Sequence, residues 1–106
     1  MKKVNLTLTE GTKHDTGKAQ IGDFIKDFGI SLLETAKVWA FGAEKYERSN
    51  WRLVDNAEKR YTDALVRHLV AEEQNDFDDE SGLLHATHVA WNGLARLFFI
   101  LKRTAK

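Results

Sequence analysis

The sequence predicts an all-α fold: a helical bundle of three main helices, completed by oligomerisation. Three observations carry that expectation. The 106 residues include no proline, which favours long helices over a turn-rich β architecture. Apolar residues recur at helical spacing along three stretches. The single period-2 alternation, Val4, Leu6 and Leu8, is one short strand without a partner in its own chain. It either pairs with another chain or serves as an extended N-terminal arm. The chain reads as one domain spanning 1–106, with no repeat and no low-complexity linker.

After a polar loop over residues 12–20, the first helical region covers residues 23–46. Phe24, Phe28, Leu32, Leu33, Ala36, Trp39, Ala40 and Ala43 form its apolar stripe. Gly29 divides it into a short helix and a longer one, and Ser49-Asn50-Trp51 closes it with a loop. The second helix starts after Asp55, where Asp55 and Glu58 have capping-box spacing. It buries Ala57, Tyr61, Ala64, Leu65 and Leu69, with Val66 at the margin of that face. Acidic residues from Glu72 to Glu80 form the next loop. The third helix covers about residues 81–102, with acids before it and Lys102-Arg103 at its end, as the helix dipole favours. Leu84, Val89, Leu94, Leu97, Phe98 and Leu101 supply its apolar surface. Three helices leave much of this surface uncovered, so a homo-oligomer, dimer or tetramer, is expected, with 94–101 as its interface.

Sixteen basic and sixteen acidic residues cancel, so no global field draws the chain to nucleic acid or to a membrane. No cysteine is present, which excludes disulfides and thiolate chemistry and fits a reducing cytoplasm. No apolar run reaches the roughly 18 residues of a membrane span, and residues 1–10 lack a signal peptide's apolar region. A soluble, cytoplasmic protein is expected.

Three polar stripes adjoin the apolar ones. Glu34, Phe41 and Lys45 share a face of the first helix, and Arg60, Ala64, Arg67 and His68 share one on the second. His85, His88 and Asn92, at i, i+3 and i+7, share one on the third. Each has a plain structural reading: Glu34 as a surface carboxylate, His68 as a boundary histidine, the acids 76–80 as a solvated loop. Their clustering favours a common polar pocket. The carboxylates favour a hard divalent ion, Mg2+ or Mn2+, able to bridge phosphate oxygens. Lys13, Lys18, Lys45, Arg60 and Arg67 are available to neutralise phosphate. No Walker loop or dinucleotide fingerprint occurs, which argues against a kinase or a dehydrogenase.

In order along the chain stand Lys13-His14-Asp15-Thr16-Gly17-Lys18, Glu34, Phe41-Gly42-Ala43-Glu44-Lys45-Tyr46, Asn50-Trp51 and Arg67-His68-Leu69. Then come Asp78-Asp79-Glu80-Ser81-Gly82-Leu83, His85, His88 and Trp91-Asn92. This order, over roughly residues 13–95, resembles the phage dATP/dGTP diphosphohydrolase N-terminal domain family, related to the MazG-like all-α nucleoside triphosphate pyrophosphohydrolases. The resemblance implies a helical oligomer that uses a divalent metal to cleave a purine deoxynucleoside triphosphate to the monophosphate and pyrophosphate. The matching polar positions are Lys13, Asp15, Lys18, Glu34, Lys45, Asn50, Arg67, His68, Asp78, Glu80, His85, His88 and Asn92.

On this reading Glu34, Asp78 and Glu80 hold the metal, and His68, His85 and His88 are the catalytic imidazoles. Lys13, Asp15, Lys18, Lys45, Asn50, Arg60, Arg67 and Asn92 bind substrate, with Tyr46 and Trp51 available to stack on the base. Two departures from the MazG-like pattern stand out. Lys37 stands where a second glutamate of Glu-Xaa-Xaa-Glu belongs, and the third helix carries His85-Xaa-Xaa-His88 in place of Glu-Xaa-Xaa-Asp. They motivate an alternative, a binding protein that sequesters a nucleotide or a nucleotide-derived signal without turnover. A purely structural helical protein is the third reading.

Overall fold

The structure, a computed structural model, describes residues 13–14, 16–45, 47 and 50–105. The alternating segment at Val4–Leu8, Asp15 and Tyr46 lie outside the described residues. Among the described residues four α-helices follow one another: α1 (Ile21–Asp27), α2 (Gly29–Lys45), α3 (Ala57–Glu72) and α4 (His85–Thr104). A short 3-10 turn, Asn50–Leu53, lies between α2 and α3. Among the described residues there is no strand, only one isolated antiparallel bridge between Phe77 and Leu84. The all-α expectation holds, and the divided first region appears as α1 and α2.

That division is a bend rather than a full interruption. Phe28 leaves helical geometry, at φ −108 and ψ 17. Its amide still donates to the Phe24 carbonyl at 3.1 Å, and the Leu32 amide donates to the Phe28 carbonyl at 2.8 Å. With no proline to remove a donor, the hydrogen-bond ladder survives a one-residue deviation.

Two predicted helix starts differ from the observed ones. The Asp55/Glu58 capping box does not form. Asn56 precedes α3 in the left-handed region, at φ 52, and no side chain caps the helix. The Glu58 carboxylate is instead taken by Arg103, which donates from Nε at 2.6 Å and Nη2 at 3.2 Å. The last helix begins at His85, not near Ser81. Residues 76–85 fold back on themselves first. Asp78 N–H donates to the Leu83 carbonyl, Gly82 N–H to the Asp78 carbonyl and His85 N–H to the Asp76 carbonyl, each at 2.8 Å. Gly82 sits at φ +74, where a side chain would be strained, and so closes this turn.

α3 and α4 form an antiparallel hairpin, the most extensive contact in the chain, and α2 packs on α4. Cross-links mark the register: Glu58 with Arg103, Thr62 Oγ1 accepting from Arg96 Nε at 2.8 Å, and Leu65 beside Gly93. One further turn along, the same register sets His68 opposite His85 and His88. At the other end Trp51 joins Trp91, Phe98 and Phe99 edge to face, with ring centroids 4.9–6.0 Å apart, a packing that aromatic quadrupoles favour.

The interior is thin. Only Val38, Ala57 and Ala95 are buried apolar residues among those described, whereas Thr35, His85, Thr87, His88 and Asn92 are buried polar ones. Leu69, Leu94, Leu97 and Leu101, read as core or apolar surface, are about half exposed, and so are Phe24 on α1 and Phe28 just after it. Their radius of gyration tells the same story: 18.9 Å, against about 13 Å for a compact domain of this length. No described helix is long and apolar enough to cross a membrane.

Candidate active site

The histidines meet because the α3–α4 register brings them together. His68 Nδ1 lies 2.8 Å from His85 Nδ1. The His68 ring also lies flat against His88, with centroids 4.3 Å apart and planes 7° apart. The 76–85 turn then carries Asp78 to this pair. The Ser81 amide donates to Asp78 Oδ2 at 2.8 Å, and the Ser81 hydroxyl donates to the same oxygen at 2.7 Å. Because that hydroxyl proton is spent on Asp78, the contact between Ser81 Oγ and His88 Nε2 at 2.7 Å has the imidazole as donor. His88 is therefore fixed with its proton on Nε2. Asn92 completes the stripe by donating to the His88 carbonyl at 2.8 Å.

Electrostatics follow from this burial. Burial lowers His68 below the ordinary histidine value, the charges of His88, His85 and Arg67 add to the effect, and Asp78 partly opposes it. His88 is likewise lowered by burial, against the pull of Asp78. Burial acts to raise Asp78, but the two Ser81 hydrogen bonds and the neighbouring imidazoles outweigh it and hold the carboxyl below its usual range. His68 and His88 thus favour the neutral form beside an ionised Asp78 at neutral pH.

Beside this cluster opens a cavity of about 870 Å³, within the usual size of small-molecule sites. Lys45, Arg60, Arg67, His68, Asp78, Glu80, His88 and Asn92 supply its polar lining, and Trp51, Leu53, Val54, Tyr61 and Trp91 part of its apolar lining. Asn50 also lines it. Lys45 and Glu80, both lining the cavity, form an ion pair that joins α2 to the turn. Tyr61 is half-buried, donates to the Trp51 carbonyl at 2.8 Å, and has its phenol pushed up to about 12 by burial.

Most of the residues predicted for the site converge, and some do not. Of the three stripes, Phe41 and Lys45, then Arg60, Ala64, Arg67 and His68, then His88 and Asn92 all line one cavity. His85 lies next to it, on His68. Glu34 is not among the lining residues; its carboxylate pairs with Lys37 at 2.6 Å. Lys13 and Lys18 are exposed and also absent from the lining. Sequence reasoning missed Ser81, read only as a helix start, and Tyr61, read only as core. The signal for Ser81 was present: an Asp followed three residues later by Ser, ahead of a glycine, is the pattern of a side chain closing its own turn.

His68, Asp78 and His85 each offer a ligand atom, and these atoms lie within 4.8 Å of one another. The donor set fits a metal ion. Over residues 9–106 the chain matches the model of the family described as dATP/dGTP diphosphohydrolase, N-terminal. It belongs to that family. A protein of Salmonella phage PMBT28 named dATP/dGTP diphosphohydrolase is 41% identical over 92 residues, covering 86% of this chain and 30% of its own. The chain thus spans less than a third of that relative's length. No solved structure matches it.

Proposed function

We propose that this chain hydrolyses a purine deoxynucleoside triphosphate to the monophosphate and pyrophosphate, with a divalent ion, Mg2+ or Mn2+. One observation carries the reading: a single cavity joins three cationic side chains, Lys45, Arg60 and Arg67, to the imidazole–carboxylate cluster and to an aromatic wall. Cations suit the triphosphate, and Trp51 offers a flat apolar surface to the base. The family match and the name of the phage relative support it.

In the reaction, water oxygen bonds to the α-phosphorus and the bond to the α–β bridging oxygen breaks. Pyrophosphate leaves with that electron pair, and the water proton passes to the Glu80 carboxylate, which lines the cavity. Lys45 exchanges Glu80 for a phosphate oxygen on binding, and Arg60 and Arg67 balance the charge that builds on the leaving group. His68 and His85 position the attacking water. His88 holds Ser81, and through it Asp78. A bound divalent ion contributes charge neutralisation and a more acidic water. His68, Asp78 and His85 would hold it, and Glu80 stands beside them on the same turn.

The apolar surface left open on α1, α3 and α4 supports a homo-oligomer, dimer or tetramer. Light scattering at micromolar concentration tests the assembly, and a monomeric mass overturns it. Incubation with each dNTP plus Mg2+ or Mn2+, with products separated by ion-exchange chromatography, tests the chemistry. Tight binding without pyrophosphate release would instead leave a nucleotide-sequestering protein, the reading that Lys37's hold on Glu34 favours.

A further inference from the structure

Three donors from three separate parts of the chain meet at one point: His68 from the C-terminal half of α3, Asp78 from the turn, and His85 from the first position of α4. Two imidazole nitrogens facing each other at 2.8 Å share a single proton between them, an arrangement that a cation can replace. Two nitrogens bound to one ion stand about 3 Å apart, so the rings need to separate by only a few tenths of an ångström. Both rings are held in place. His85 is buried, and His68 is clamped by the flat face of His88.

The carboxylate is oriented as well. Asp78 Oδ2 accepts from both the amide and the hydroxyl of Ser81, and the hydroxyl is in turn held by His88. Hydrogen bonds of this kind around a ligating carboxylate set its direction and strengthen its hold on an ion. We propose that His68, Asp78 and His85 form a transition-ion site that selects Mn2+ and imidazole-binding ions such as Co2+ against Mg2+, with Ser81 and His88 as its positioning residues. The chemistry of the donors decides this: Mg2+ takes oxygen ligands and keeps its water, whereas two of these three donors are imidazole nitrogens. The inference rests on the hydrolase reading only for the use of the ion, not for its selection.

The test is calorimetric titration of the full chain, stripped by chelator and free of nucleotide, with MnCl2, CoCl2 and MgCl2. The Co2+ visible spectrum reports imidazole ligation. The expected result is one Mn2+ or Co2+ per chain, bound about 10²-fold or more tightly than Mg2+. Ser81→Ala lowers Co2+ affinity by about 10–100-fold, as loss of a second-sphere partner does. His85→Gln and Asp78→Asn each lower it further. Because His85 is buried, circular dichroism of each variant accompanies the titration, and Asp78→Asn, on the half-buried turn, serves if His85→Gln does not fold. Mg2+ binding as tight as Mn2+, or Co2+ affinity unchanged in the folded His85 or Asp78 variants, overturns the proposal. Turnover of dNTP is read separately. Selective Co2+ binding without turnover supports the ion site while removing the hydrolase reading, and turnover with equal Mg2+ and Mn2+ binding does the reverse.

Discussion

The Ser81 hydroxyl lies 2.7 Å from His88 Nε2, seven residues on, and donates its own hydrogen bond to Asp78. One small side chain thus fixes a tautomer on α4 and a carboxylate on the turn.

Substituting His88 by Asn removes both the Ser81 contact and the ring that clamps His68. We expect turnover to fall by about 10²-fold, and unfolding stability to fall by about 1–2 kcal/mol as the Ser81 hydroxyl loses its donor. Steady-state kinetics and chemical denaturation check the two effects. Full activity in a folded His88→Asn chain would remove the α4 face from the site.

Two helical glycines separate packing from the cavity. A Cβ on Gly93 would meet Leu65 Cδ1 at 3.8 Å, an ordinary contact, and one on Gly42 would meet nothing within 4 Å. Either Gly→Ala change should stabilise its helix by about 0.5–1 kcal/mol. Gly42 lines the cavity and Gly93 does not. Gly42→Ala should therefore raise KM for the nucleotide, whereas Gly93→Ala leaves it unchanged. Thermal melts and kinetics on both variants provide the comparison.

Much of this was legible in the sequence. The spacing of His85, His88 and Asn92 put them on one helix face, and all three are buried there. The Arg60–His68 stripe faces the same cavity. The pairing of His68 with His85 was not legible, because it depends on how α3 and α4 slide against each other. That register is pinned by distant contacts such as Glu58 with Arg103. The pairing of Glu34 is local: a lysine at i+3 takes its carboxylate, a pairing that helix geometry favours. The depth of the core was also hidden, since apolar stripes show which face seeks cover but not what covers it.

Glu34→Gln therefore serves as a contrast to Asp78→Asn. With Glu34 held by Lys37, its substitution should leave Mn2+ affinity unchanged, while Asp78→Asn lowers it. Reduced affinity in the Glu34 variant would return that residue to the ion's ligands.

Tyr61 gives the chain an alkaline signature. Its phenol ionises at about 12 in the folded protein, raised from 10.0 by burial. Between these values the unfolded chain has lost the proton and the folded chain retains it. Stability from this group is complete below pH 10 and is lost as pH rises towards 12. Denaturation midpoints should fall across that window, and Tyr61→Phe should flatten the fall. An equal slope in the variant would assign the alkaline loss to other groups.

The central claim, water attack at the α-phosphorus within the cavity of Arg60, Arg67 and His68, has a direct test. Turnover of dATP or dGTP in 18O-labelled water with Mn2+, followed by mass spectrometry, shows which product takes up the label. The account predicts one 18O in the nucleoside monophosphate and unlabelled pyrophosphate. Label in the pyrophosphate, or release of inorganic phosphate or triphosphate instead, would contradict it.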